Sequence, residues 1–380
     1  MQTRIKMLSL TAAVSLVVAG SAHAQEIVKI GEVGPITGPA AYTGKDIQNG
    51  ARMAIDELNA KGILIGGKKV KFQLVAEDDA GDPRQGTAAA QKLVDAKVNG
   101  VIGHLNSGTT IPASKIYFEA NIPQISPSAT NPKYTQQGFN TAFRVVANDA
   151  QLGGTLGRYA AMTLKAKSVA VIDDRTAYGQ GVAEEFIKGA KAAGVEIVTR
   201  QFTNDKATDF NAILTAVKSK KPDLLFFGGM DAVAGPMLHQ MKQLGINAKF
   251  LGGDGICSEA LAGLAGDGMA NGQVICAEAG GVEEADKKGL DDFKAEYKQK
   301  FGVVVQIYAP YAYDAVMTMV EAMQKAGSAQ PAIYLPVLAK IEHKGVTGNI
   351  AFNTQGDMQQ GVLTLYTYAD GKRQQLAVTK

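Results

Sequence analysis

Tryptophan is absent from the 380 residues, and cysteine occurs only twice. Histidine is nearly as scarce. His104, His239 and His343 are scattered, with no metal-ligand spacing and no HExxH pattern, and His23 lies in the N-terminal leader. No GxSxG elbow and no Cys–His pairing is present, so nothing argues for nucleophilic hydrolysis. Charge of one sign is also missing. Lys plus Arg number 39 against 36 Asp plus Glu, a formal charge of +3, without a basic cluster. That balance excludes the electrostatic footprint of a nucleic-acid or membrane-surface binder. After the first two dozen residues, no apolar run approaches the length needed to span a bilayer.

Those first residues read as a secretory signal. Arg4 and Lys6 form a basic start, Leu8 to Gly20 an apolar stretch, and Ala22-His23-Ala24 a small-residue cleavage site before Gln25. Residues 1–24 are therefore expected to be removed, giving an exported protein without a lipid anchor, since residue 25 is not Cys. The mature chain of about 350 residues has room for about two domains. Its formal charge falls by two units with the leader. In an oxidising compartment Cys257 and Cys276 read as a disulfide, worth roughly 3 kcal/mol, with two buried free thiols as the other reading.

Apolar runs and helical patterns alternate along the whole chain, which implies parallel sheets covered by helices on both faces, an α/β architecture. The first set of strands is placed at 27–34, 70–77, 98–105 and 122–126, with a helix over 44–61 and another started by Asp82-Pro83, acid cap and first-turn proline. A second set starts near Asn148, with strands at 169–173, 196–202, 224–228, 249–251 and 273–277. Helices over 290–301, 311–326 and 333–341 follow, then strands at 348–352 and 362–368.

The most informative stretch runs from Gly103 to Pro132. Two consecutive strands discharge into loops rich in hydroxyls and small residues, Asn106-Ser-Gly-Thr-Thr110 and Ser126-Pro-Ser-Ala-Thr130. In a parallel sheet these C-terminal strand ends lie side by side, where ligands bind. Hydroxyls and free N–H groups at a helix N-terminus suit a carboxylate. Neither loop carries a His, Cys, Asp or Glu able to do chemistry, so the site holds an anion without transforming it, and no enzymatic role or cofactor is expected.

Two other strings have plainer explanations. Gly62 to Lys69 nearly matches a phosphate loop but lacks the final hydroxyl and has a helix before it and a strand after it, the reverse of what phosphate cradling needs. The acidic run Glu77 to Asp82 lacks the twelve-residue spread of a calcium loop and fits a strand end with a helix cap.

The loop pair, together with GPITGPAAYTG, DDAGDPRQ, RTAYGQG, FFGGMDA, GGDGI and GNIAFNTQGDM in that order, resembles the periplasmic branched-chain amino acid (leucine/isoleucine/valine)-binding proteins of ABC importers. The resemblance covers nearly all of the mature chain. It implies a two-lobed periplasmic-binding-protein type I fold with three hinge crossings, placed near Val146, Ala279 and Gln355. The N-terminal lobe would comprise 25–146 and 280–355, and the C-terminal lobe 147–279 and 356–380. It implies a monomer that closes on an α-amino acid and delivers it to membrane permease subunits. Ser107 and Thr130, with backbone groups near Ser128 and Ala129, would hold the carboxylate, and Asp254 would neutralise the ammonium, with Asp231 as a substitute. Tyr42, Tyr178, Met230 and Tyr308 would wall the side-chain pocket.

The chain departs from the family at three places. Tyr42 is offset by one from the usual aromatic-Gly pair. Met230 stands where leucine binders carry a Tyr. Gly81 and Asn106 occupy the positions of a first-lobe disulfide. An aromatic amino acid, an amide or an aromatic acid is therefore the alternative ligand on the same scaffold. A receptor ectodomain and an exported enzyme are the remaining classes. Asp254 is expected to be a solvated loop acid at the cleft mouth.

Overall fold

The computed structural model describes residues 25–284 and 287–379, so the expected leader lies outside the described residues. The chain opens with β1 (Glu26–Gly34), α1 (Ala41–Lys61), β2 (Leu64–Ile65), β3 (Lys68–Asp78) and α2 (Pro83–Asp95). Next come β4 (Gly100–Gly103), α3 (Ser107–Glu119), β5 (Gln124–Ser126), α4 (Lys133–Gln136) and β6 (Ala142–Arg144). These strands form one sheet in the order β2-β3-β1-β4-β5-β6, parallel except for the β2–β3 hairpin.

A second αβ series follows: α5 (Asp149–Met162), β7 (Ser168–Asp173), α6 (Ala177–Ala192), β8 (Glu196–Phe202), α7 (Asn211–Lys220) and β9 (Leu224–Gly228). It continues through α8 (Asp231–Gln243), β10 (Lys249–Gly252), α9 (Leu261–Ala265) and β11 (Val274–Glu278). The chain then adds α10 (Lys287–Phe301), α11 (Ala309–Ala326), α12 (Pro331–Leu338) and the hairpin β12 (Glu342–Gly345) with β13 (Gly348–Ala351). It ends in β14 (Leu363–Ala369) and β15 (Lys372–Thr379). The second sheet runs β15-β14-β11-β10-β9-β7-β8. Its first five strands in sequence pair in parallel, and β14 and β15 add antiparallel at one edge.

Burial explains why the central strands read as unbroken apolar runs. Val169 and Val171 of β7 face one core, and Ala170 and Ile172 face another. Leu224 and Phe226 of β9 divide from Leu225 and Phe227 in the same way. With helices on both faces, both sets of a period-two strand must be apolar. Helix starts follow their caps: Asp82 accepts from the N–H groups of Arg84 and Gln85, and Asn148 with Gln151 forms a reciprocal capping box. Helix α1 begins three residues earlier than its pattern suggested. Gly44 is the reason it was misplaced, because it is a packing residue within the helix and not its start. A Cβ there would lie 2.1 Å from the Pro35 carbonyl oxygen.

In each sheet successive strands are laid to one side of the first and then to the other. The order reverses between β1 and β4 in the first sheet and between β7 and β9 in the second. Ligands bind at such switch points, outside the carboxyl ends of the strands. The loops leaving these ends meet across a cleft. The connecting segments lie side by side: Ala147 N–H donates to the Ala279 carbonyl at 2.9 Å, and Arg144 N–H to that of Gly356 at 3.0 Å. Among the described residues no helix is long and apolar enough to cross a membrane, and no cluster of acids, histidines and cysteines could hold a metal ion.

Candidate functional site

On the first-sheet side, β4 ends at Gly103 and β5 at Ser126, and both hydroxyl-rich loops sit at those ends. Asn106 precedes α3 without capping it through its side chain, so the first turn is left to other partners. Ser107 Oγ accepts from Asn131 N–H at 3.3 Å. Ser126 Oγ donates to the His104 carbonyl at 3.0 Å and accepts from Ala129 N–H at 2.9 Å. Ser128 Oγ donates to the Leu105 carbonyl at 2.9 Å, which sews the two loops together. Ala129 is the weakest of the expected carboxylate contacts, because its N–H serves Ser126 and its carbonyl accepts from Arg144 Nη1 at 2.5 Å.

Arg144 is a fixture that the motifs did not indicate. Its guanidinium is buried, donates to Asp357 Oδ1 at 2.6 Å, and reaches the carbonyls of Ala129 and Asn131 and the Thr135 hydroxyl. It therefore fixes the second loop from behind and ties it to the segment between β13 and β14. His104 supports the first loop, its Nδ1 2.9 Å from Asp79 Oδ2 and its Nε2 3.1 Å from the Tyr117 hydroxyl.

Across the cleft, Asp254 opens a short 3-10 turn after β10. It is only 1% exposed, so the expectation of a solvated acid is corrected. Tyr178, in the first turn of α6, donates to Asp254 Oδ1 at 2.8 Å. Tyr308, preceding α11, donates to Oδ2 at 2.7 Å. One tyrosine comes from each side of the cleft, and Asp254 joins them. Burial pushes its carboxyl up to about 6, with the two tyrosine hydroxyls opposing the rise. Tyr308 is itself held by Asp46, which accepts the N–H groups of Gln306, Ile307, Tyr308 and Ala309.

Beside this clasp stands Asp149, the first residue of α5, which motif reading missed. It is fully buried, and neither carboxylate oxygen has a hydrogen-bond partner among the described residues. The Thr130 hydroxyl beside it is equally unpartnered. Burial raises the Asp149 carboxyl to about 8; the nearby Thr130 hydroxyl works against that and the Asp254 charge adds to it. An acid at a helix start looks like ordinary dipole compensation in a sequence, which is why it drew no attention.

Tyr42 and Asp231 form a second contact across the cleft: the Tyr42 hydroxyl donates to Asp231 Oδ1. The Ser258 hydroxyl donates to Oδ2 of the same acid. Asp231, like Asp254, thus has both carboxylate oxygens engaged by hydroxyls, one of them from across the cleft. Met230, half-buried at the start of α8, packs against the main core. The disulfide joins Cys257, just beyond the Asp254 turn, to Cys276 of β11, with Cα atoms 5.4 Å apart.

Residues 27–372 match the family described as periplasmic binding protein. The chain belongs to that family. It is 38% identical over 357 residues to the Leu/Ile/Val-binding protein homolog 1 of Brucella abortus, covering 93% of this chain and 94% of the relative. It is 33% identical to the leucine-, isoleucine-, valine-, threonine-, and alanine-binding protein of Pseudomonas aeruginosa, with the same two coverages. Among solved structures, the LivJ substrate-binding protein of Streptococcus pneumoniae in complex with isoleucine superposes with a TM-score of 0.83 at 27% identity, covering 93% of this chain and 99% of that one. The fold is the two-sheet α/β architecture of these type I periplasmic binding proteins.

Proposed function

We propose that this protein is the periplasmic substrate-binding component of an ABC importer and captures an α-amino acid of the branched-chain class, leucine, isoleucine or valine, between two closing lobes. The lobes are taken as 25–146 with 280–355 and 147–279 with 356–380, hinged where the connecting segments run side by side. The observation that carries the assignment is the group of polar atoms at the cleft centre. Asp254, clasped by Tyr178 and Tyr308, lies near enough to the Asp149 carboxylate for its charge to raise it, and the Thr130 hydroxyl stands beside that carboxylate. An ammonium has three donors, and three acceptor groups converge here. The α3 N-terminus, with Ser107 and the Thr130 N–H, supplies the complementary anion site, and Ser128 N–H, 3.4 Å from Ser126 Oγ, borders it. The names of the relatives give the side-chain class.

The magnitudes suffice. Each charge-assisted hydrogen bond contributes roughly 1.5–3 kcal/mol, and burial of a leucine side chain about as much. Four or five such contacts total roughly 6–15 kcal/mol, which can exceed an association cost of about 4 kcal/mol or more and reach micromolar affinity towards the upper end. Closure sets both lobes on one ligand, and the closed form is what permease subunits would recognise. Calorimetric titration of the mature protein with leucine, isoleucine and valine should give saturable one-to-one binding. No heat and no rise in melting temperature with any of them would defeat the assignment.

A further inference from the structure

Beside Met230 the two lobes enclose a cavity of about 440 Å3. Ala40, Gly81 and Asn106 wall it from one side, and Asp174, Tyr178 and Met230 from the other. Tyr178 belongs to both places: its ring lines the cavity while its hydroxyl holds Asp254. Tyr178 thus links the cavity to the head-group site, and the space beside it is where a ligand's side chain would extend.

Two of the sequence departures fall on this one space. Met230 forms part of the wall, and Gly81 and Asn106 face each other without a bridge. A Cβ on Gly81, whose φ is +70°, would lie 3.4 Å from Asn106 Oδ1. The walls are also not uniformly apolar. Asn106 Oδ1 and Asp174 Oδ2 both lack a hydrogen-bond partner among the described residues. Asp174 is 2% exposed, and only its Oδ1 is engaged, by the Thr176 N–H at 2.9 Å and hydroxyl at 2.7 Å. The charged neighbours at the rim, Arg175, Asp205 and Lys206, are exposed. Arg175 turns its guanidinium onto the Phe202 ring, 3.5 Å from its centroid, instead of onto Asp174. Buried acceptors from opposite walls favour an occupant that donates, and an aliphatic side chain leaves both unsatisfied.

We propose that this cavity is a second subsite, which accepts α-amino acids whose side chains end in N–H donors, a carboxamide or guanidinium, alongside the aliphatic ligands. The inference rests on the amino-acid assignment above and extends it to the ligand's far end. Asp174 and Asn106 would take the tip's hydrogens while the head group is held as described.

Titrate the mature protein with leucine, citrulline and arginine, and repeat with Asp174→Asn and Asn106→Leu, checking each ligand-free variant by thermal melting. Citrulline and arginine are expected to bind within about a hundredfold of leucine. Asn106→Leu should lower the affinity of citrulline and arginine relative to that of leucine by about tenfold or more. Asp174→Asn should weaken arginine more than citrulline, because it removes charge and keeps the Thr176 turn. If Asp174→Asn lowers the melting temperature, Asn106→Leu carries the test, since Asn106 caps nothing. Leucine binding with neither nitrogen-tipped ligand bound at about 1 mM overturns the subsite alone. So does an equal loss for all three ligands in the variants. Failure of every amino acid, leucine included, overturns the amino-acid assignment and the subsite with it.

Discussion

The Tyr308 hydroxyl lies 2.7 Å from Asp254 Oδ2, a hydrogen bond that spans the cleft from the start of α11 to the turn after β10. The same carboxylate takes the Tyr178 hydroxyl on its other oxygen. One acid therefore does two things: it presents negative charge at the cleft centre, and it joins the lobes.

Removing the Tyr308 hydroxyl should loosen closure without disturbing the fold, since Asp46 holds the Tyr308 backbone by a separate set of bonds. Tyr308→Phe is expected to weaken leucine binding by about 1.5–3 kcal/mol, the usual worth of a hydrogen bond to a charged group. Calorimetry would read the loss, and a melting temperature close to wild type without ligand would assign it to closure.

Buried acids give the ligand-free protein a definite pH dependence. Asp254 is raised to about 6 and Asp149 to about 8, both chiefly by burial, and Glu32 and Asp174 are raised to about 8 and about 6 for the same reason. A raised carboxyl binds more protons folded than unfolded, so stability falls as pH rises from about 4, the unfolded value, towards 8. The melting temperature of the ligand-free protein should decline across that interval, and the shift produced by leucine should grow, as its ammonium compensates the ionised acids. Asp149→Asn should flatten the decline and weaken leucine. A melting temperature constant from pH 4 to 8 would contradict this.

Cys257 and Cys276 should show no reactive sulfur when the unreduced exported protein is denatured and labelled. Replacing both by serine is expected to cost roughly 3 kcal/mol of stability. It should also weaken leucine binding, because Cys257 directly follows the turn that carries Asp254.

The alternation of strands and helices was legible because strands buried on both faces, such as β7 and β9, read as continuous apolar runs. The strands that went unread, β2, β6, β12 and β15, are short or polar, and their pairing depends on neighbours far along the chain. The glycine and hydroxyl loops were visible as motifs, and Tyr178 and Asp254 could be placed through the family resemblance. Asp149 and Arg144 were not, since a helix-start acid and a lone arginine carry no local pattern. Their meaning comes from burial and from which loops fold onto them. The burial of Asp254 was missed for a related reason: Tyr308 lies 54 residues away and reaches it only when the lobes meet.

The most direct test of the account uses a pair of ligands that differ only in the ammonium. Leucine and 4-methylpentanoic acid would be titrated by calorimetry into wild type, Asp254→Asn and Asp254→Ala. If Asp254 holds the ammonium, Asp254→Ala costs leucine about 3–5 kcal/mol more than it costs the deaminated acid, which shares only the loss of the closure contact. Asp254→Asn should fall between, keeping the geometry while losing the charge. Equal losses for both ligands, or leucine binding to Asp254→Ala with wild-type affinity, would contradict the assigned orientation.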